Sequence, residues 1–196
     1  MKFVFPCAGY GEKAAGYIGE FYEYSSAVHG AGGLDAYLKE STYSNWLAKV
    51  LNDIDLANLP PDRVPGYTYF YVREYDDKII GMVNIRLALN DFLRTQGGHI
   101  GYSIRPLERG KGYGTDMLRG ALDFMKRIGL DRVIVTCARD NAASAGLIKK
   151  CGGVLDAELY SDYFKKVIHR YIIGGRKLGT NLPPFDKGGK LFLPNN

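Results

Sequence analysis

The residues with the clearest chemical potential are Arg109-Gly110-Lys111-Gly112-Tyr113-Gly114-Thr115. Glycines at every second position let a backbone turn tightly and come close to a ligand. The segment runs into Met117, Leu118, Ala121, Leu122 and Met125, apolar residues at helical spacing. The first N–H groups of such a helix have no internal acceptor and lie at the positive end of its dipole. With the charges of Arg109 and Lys111 alongside, this pattern suits a phosphate group. A Walker A loop would need Gly-Lys-Ser or Gly-Lys-Thr after a longer spacing. The dinucleotide fingerprint fails too, because the glycines follow Gly110-x-Gly112-x-Gly114 and a single strand–helix–strand unit surrounds them. The plain alternative is a glycine-rich turn without a ligand.

The elements that must position this loop follow from periodicity. His99 to Ile104 reads as a strand ended by Arg105-Pro106. A helix over residues 115–128 comes next, closed by Gly129. Val133-Ile134-Val135 is a short apolar run fit for a buried strand. Asp140 or Asn141 caps a further helix over 142–150. Upstream, residues 12–27, 34–38 and 43–51 carry helical patterns, with a short strand at 3–5 before them. Residues 67–72 and 79–87 read as an antiparallel hairpin. Residues 154–159 and 167–173 form a closing pair of strands. Hairpins with one parallel crossover predict an α+β fold, not a doubly wound sheet.

Arg109, Gly112 and Gly114 form an Arg-x-x-Gly-x-Gly pattern that resembles the acetyl-CoA pyrophosphate loop of the GNAT superfamily. His99-Ile100-Gly101-Tyr102-Ser103-Ile104-Arg105-Pro106 is similar to that family's preceding strand. Asp140-Asn141-Ala142-Ala143-Ser144 resembles its second cofactor motif, and Lys150-Cys151-Gly152-Gly153 that motif's ending. The specific likeness covers residues 81–173. The Gly-rich stretches at 29–35 and 97–102 resemble a bacterial branch of predicted acetyltransferases.

The resemblance implies a GNAT-like fold: a mixed, mostly antiparallel sheet with splayed parallel strands, flanked by helices. It implies an N-acetyltransferase that moves acetyl from acetyl-CoA to a primary amine by direct attack. Its cofactor residues are Ile104, Arg109, Gly110, Lys111, Gly112, Tyr113, Gly114, Thr115, Asn141 and Ser144. Many members carry a glutamate base where His99 stands here, which makes His99 the expected proton acceptor. Members commonly place a tyrosine, the acid for the leaving thiolate, where this chain has Ile148. Tyr160, Tyr163 and Tyr171 are the alternatives on the closing strands. The substitution at Ile148 also fits a rival reading, an acetyl-CoA-binding sensor module without catalysis. Trp46 reads as a core or cleft-wall residue, and His29, in its Gly-rich loop, as a structural or substrate-contacting one.

Composition bounds the rest. The chain has 196 residues, 46% of them hydrophobic and 24% charged, which suits one soluble domain. Its net charge of +5 comes from Lys and Arg scattered among acids, unlike the basic stripe of a nucleic-acid binder. Cys7, Cys137 and Cys151 are odd in number and widely spaced, so neither a disulfide framework nor a metal site is expected. The N-terminal apolar run is too short for a signal peptide, and no stretch is long enough to span a membrane. The expectation is a cytoplasmic enzyme with a small-molecule or peptide amine substrate, no nucleic acid, no membrane and no metal. Residues 1–173 are expected to form one domain. Residues 174–196 are expected to be an extension laid on that domain or on a partner subunit, which allows a homodimer.

Overall fold

The computed structural model describes residues 1–175. Strand β1 (Lys2–Val4) leads into α1 (Gly11–Glu23), α2 (Leu34–Glu40) and α3 (Tyr43–Asn52). Strands β2 (Gly66–Arg73), β3 (Lys78–Arg86) and β4 (Ile100–Ile104) follow, then α4 (Tyr113–Arg127), β5 (Arg132–Ala138) and α5 (Ala142–Lys150). Strands β6 (Val154–Ser161) and β7 (Lys166–Gly174) close the described chain. The extension foreseen from residue 174 onward falls, from residue 176, outside the described residues. No helix in the described part is long and apolar enough to cross a membrane.

The strands form two antiparallel sheets, ordered β1-β2-β3-β4 and β5-β7-β6. Alternation along β3 sends Met82 to one core and Val83 and Ile85 to another. The first core lies under α1, whose Ala14, Tyr17, Ile18 and Phe21 repeat at helical spacing and are buried. The second lies under α4, through Met117, Leu118, Ala121 and Met125, and extends over β5 and β7 to Ile148 of α5. Helix α4 stops in a Schellman arrangement: Gly129 adopts φ +82°, and Leu130 N–H donates to Met125 O at 2.9 Å.

The α+β expectation holds, with three differences of detail. Helix α1 ends at Glu23, four residues early, because Ser25 takes a φ of +47° and turns the chain. Strand β5 is longer than its Val133-Ile134-Val135 signal, since its pairing with β7 runs from Arg132 to Ala138. Residues 93–97 form a π-type turn that no periodicity announced.

The joint between the sheets matters most for function. Strands β4 and β5 run parallel but belong to different sheets. Between them His99 N–H donates to Ile134 O at 2.7 Å, and Ile134 N–H donates to His99 Nδ1 at 2.9 Å. Beyond that point no backbone hydrogen bond joins the two strands among the described residues. Arg86 backs the joint, donating to Gly97 O and Gly98 O at 2.9 Å each, while Thr136 Oγ1 donates to Gln96 O at 2.8 Å.

Candidate active site

Two helix N-termini meet at the open end of this fork. One begins after the glycine loop. Gly110 (φ +77°) and Gly112 (φ +87°) hold backbone conformations that an L side chain resists. Gly112 O accepts from Thr115 N at 3.0 Å and from Asp116 N at 3.2 Å, which starts α4. Among the described residues, the N–H groups of Gly110 to Gly114 have no protein acceptor. A Cβ on Gly110 or Gly112 would meet nothing within 4 Å, so no protein atom crowds the loop at these two positions. Unpaired amides at the positive end of a 15-residue helix are an anion site in the physical sense.

The second N-terminus belongs to α5. Asn141 caps it, its side-chain oxygen accepting from Ser144 N at 3.0 Å. Ser144 Oγ lies 2.8 Å from the hydroxyl of Tyr102 on β4, so the second motif is tied to the same strand as Ile104. Burial raises the Tyr102 pKa well above that of a free phenol, which keeps the hydroxyl protonated. The two helices also touch, since a Cβ on Gly114 would sit 2.6 Å from Leu147 Cδ1 and 3.5 Å from Ile104 Cγ1. These contacts draw Ile104, the end of the loop, Asn141 and Ser144 together.

The charged side chains of the loop have other work. Arg109 Nε donates to Ile104 O at 3.0 Å and its terminal nitrogen to Ser26 Oγ at 2.7 Å, which staples the loop to the end of α1. Lys111 pairs with Glu108 at 2.8 Å, and Arg73 and Lys78 reach the same carboxylate at 3.1 and 3.2 Å. The Lys111 hydrogen bond leads these partners in holding the Glu108 pKa down to about 2, against the opposing effect of burial. Glu108 thus balances the cations beneath the loop, and the amides are what the loop presents outward.

His99 does not offer the lone pair that a proton acceptor needs. It is 6% exposed. Its Nδ1 is engaged by Ile134 N–H, so in the neutral ring the proton sits on Nε2. Burial, reinforced by the nearby Arg86 and Arg94 charges, lowers its pKa to about 4. The imidazole stands in for a strand carbonyl at the apex of the fork.

The tyrosines named as alternatives for the acid lie elsewhere. Ile148 is fully buried, Tyr160 and Tyr163 are exposed, and Tyr171 sits in the core beside His169. Tyr102, which strand alternation puts on the same face of β4 as Ile100 and Ile104, is the tyrosine that reaches Ser144. A buried phenol needs a hydrogen-bond partner, and that need was the available signal. Trp46 is fully buried and donates to Ala31 O at 3.1 Å, so it anchors the 29–33 loop. Among the described residues no cluster of three or more His, Cys, Asp or Glu side chains is arranged to hold a metal ion.

This combination defines a class: an α+β domain with unpaired amides at a helix N-terminus, at the mouth of two splayed parallel strands. Comparison with known proteins gives the class its family. The family model described as an acetyltransferase (GNAT) domain matches residues 30–154. The chain belongs to the GNAT acetyltransferases. No curated protein matches it in sequence. Among solved structures it is similar to a ribosomal-protein alanine acetyltransferase from Vibrio fischeri, at 19% identity over 91% of this chain and 94% of that one, with a TM-score of 0.65. It also resembles the microcin C7 self-immunity acetyltransferase in complex with acetyl-CoA and AMP, at 19% identity over 88% and 91% of the two chains, TM-score 0.61. A spermidine N-acetyltransferase from Vibrio cholerae aligns at 15% identity over 89% and 95%, TM-score 0.58. At these identities the likeness is one of fold.

Proposed function

We propose that this protein binds acetyl-CoA in the β4–β5 fork and transfers its acetyl group to a primary amine. The observation that carries the reading is the row of unpaired amides from Gly110 to Gly114 at the mouth of the fork. These amides suit a pyrophosphate, and open space in front of Gly110 and Gly112 leaves room for it. Ile104 on β4, with Asn141 and Ser144 opposite, would hold the pantetheine arm. The bound cosubstrate supplies a thioester, whose carbonyl carbon is open to direct attack by an amine. The protein's own task is to align the amine, take up its proton and exclude competing water. With the Ser144 hydroxyl donating to it, the protonated Tyr102 hydroxyl would be free to donate a hydrogen bond to the departing sulfur. A thiol pKa near 8.5 leaves modest work for such a group. The similar structures include enzymes named for a protein alanine and for spermidine, which supports an amine acceptor.

The test is CoA release, followed with a thiol reagent, by the full chain with acetyl-CoA and a panel of amines that includes spermidine and an alanine-initiated peptide. Release above the no-amine rate with one or more of them is the expected result. CoA binding by calorimetry without release for any amine would favour the sensor reading, to which the Ile148 substitution lends its one argument. Absence of CoA binding would overturn both.

A further inference from the structure

Arg86 ends β3 and lies on the same face of the sheet as Met82, away from α4. It is half-buried. Its Nη1 donates to Gly97 O and Gly98 O, beside His99 at the apex of the fork. Its Nε and Nη2 form the edge that can take an oxyanion in two parallel bonds, and they donate to no group among the described residues. That edge is not sealed in. Among the described residues the buried side-chain polar atom without a partner is Arg105 Nε, not an Arg86 nitrogen. No carboxylate among them pairs with Arg86 either. The buried Asp53 is already held by Lys49 at 2.6 Å and Arg63 at 2.8 Å. The Arg63 and Arg86 charges both bear on Lys49, so three cations share one buried acid. Burial lowers the Arg86 pKa to about 10, with no acid to offset it, and the group stays charged at pH 7. Nη2 lies over Gly101 of β4: a Cβ there would fall 3.2 Å from it and 3.5 Å from Gly30 N. The Gly30 N–H has no acceptor among the described residues. Its loop is fixed, since His29 O accepts from Ser103 Oγ and Gly32 O from Lys49 Nζ at 3.0 Å. Two unpaired donors from separate elements therefore converge on one point of β4.

We propose that Arg86, with the Gly30 N–H, binds an oxyanion carried by the acetyl acceptor, so that the amine belongs to an amino acid or an aminoalkyl phosphate and not to a polyamine. This inference rests on the acetyl-transfer reading. Toward α4 and α5 the two strands are covered by Ile100, Tyr102, Ile104, Cys137 and Ile148 of one core. An acceptor therefore meets a thioester in the fork from the opposite face, where Gly101 and Ser103 lie. Arg86 stands at the apex end of that face. An anion held there leaves the amine to extend along β4 toward the thioester. A guanidinium edge fixes an oxyanion in direction as well as position, which the point charge of a lysine does not. A half-buried cation without an acid is also a cost to the free protein, and an oxyanion would relieve it.

The test extends the amine panel with matched sets: an amino acid, its carboxamide and the aminoalkyl phosphate of the same length, over a range of spacer lengths. In the native protein an anionic member should show kcat/KM about tenfold or more above its carboxamide, the scale of a hydrogen bond to a charged group. Which anion leads separates carboxylate from phosphate. Arg86→Lys keeps the charge and a donor for Gly97 and Gly98 but loses the paired edge. In that variant the ratio should fall to about threefold or less, through KM. A merely structural role would lower both members of a pair alike and keep the ratio. An unchanged ratio in a folded Arg86→Lys protein would overturn the proposal alone. So would native turnover of carboxamides or spermidine that matches the anionic amines. Absence of CoA release with any amine would overturn the acetyl-transfer reading and this inference with it. If Arg86→Lys does not fold, the native comparison decides by itself. A second measurement needs no turnover. Calorimetry on the native protein saturated with CoA should show the N-acetyl derivative of the preferred anionic amine binding more tightly than that of its carboxamide, again by about tenfold. Equal affinities would sink the assignment.

Discussion

At the scale of single residues, the same side chain means different things according to what its lone pairs meet. His99 and His169 are both imidazoles, yet one closes a strand joint with Ile134 and the other lies beside Glu158 on the outer strands. The His99 assignment has a thermodynamic signature. Its pKa is about 4 in the folded chain and near 6.5 once unfolded. Between those values the unfolded chain binds more protons, so stability falls as pH drops from about 6.5 to about 4, by up to roughly 3 kcal/mol. Above 6.5 this contribution is fully present. Asparagine can offer Oδ1 where His99 offers Nδ1, but it does not titrate. The difference in unfolding free energy between the native and His99→Asn proteins should therefore shrink on acidification. Denaturant melts at a series of pH values measure it, and a difference independent of pH would contradict the joint. His99→Ala, which leaves Ile134 N–H without its acceptor, should be less stable than His99→Asn near neutral pH.

At the scale of elements, the loop before α4 is where backbone geometry and ligand binding coincide. Gly112 needs its φ of +87° to start the helix, and space in front of it is free of protein atoms. A Gly112→Val protein should fold, with a somewhat lower Tm from the strained φ, and should lose CoA affinity at least tenfold. That figure corresponds to about 1.4 kcal/mol, less than one hydrogen bond to a charged group is worth. Calorimetric titration with CoA checks it, and unchanged affinity in a folded variant would remove the loop from the site. This loop was legible in the sequence because its signal is local: glycines, then an apolar stripe, most of which is buried in α4. The second motif was legible for the same reason, as Asn141 caps α5 three residues from Ser144. What escaped depends on distant partners. The acceptor role of His99 is decided by Ile134, 35 positions away, and the Arg109 guanidinium is spent on Ser26, 83 positions back. The insertion of β7 between β5 and β6 likewise follows from pairing and not from any pattern within the strands.

At the scale of the whole molecule, the protein is two sheets that share one joint, and the proposed cosubstrate spans both. The Ile104 side of the fork belongs to the first sheet, while α5 with Asn141 and Ser144 is carried by the β5 side. Bridging is already partial in the free protein, through the Tyr102–Ser144 bond and the contact of Gly114 with Leu147. A ligand that binds the folded state alone, at a hundredfold excess over its Kd, stabilises it by about 2.7 kcal/mol. For a chain of this length that corresponds to a rise in Tm of about 5–10 °C. Because the ligand would close the mouth while His99 already closes the apex, protection against hydrogen exchange should rise on both sheets together. Amides of β4 and α4 should slow, and so should those at the end of β5 and the start of α5. Thermal melts with and without CoA, joined to exchange measured by mass spectrometry, test the arrangement. Protection confined to the loop and α4, with β5 and α5 unchanged, would place the ligand on one sheet and not in the fork.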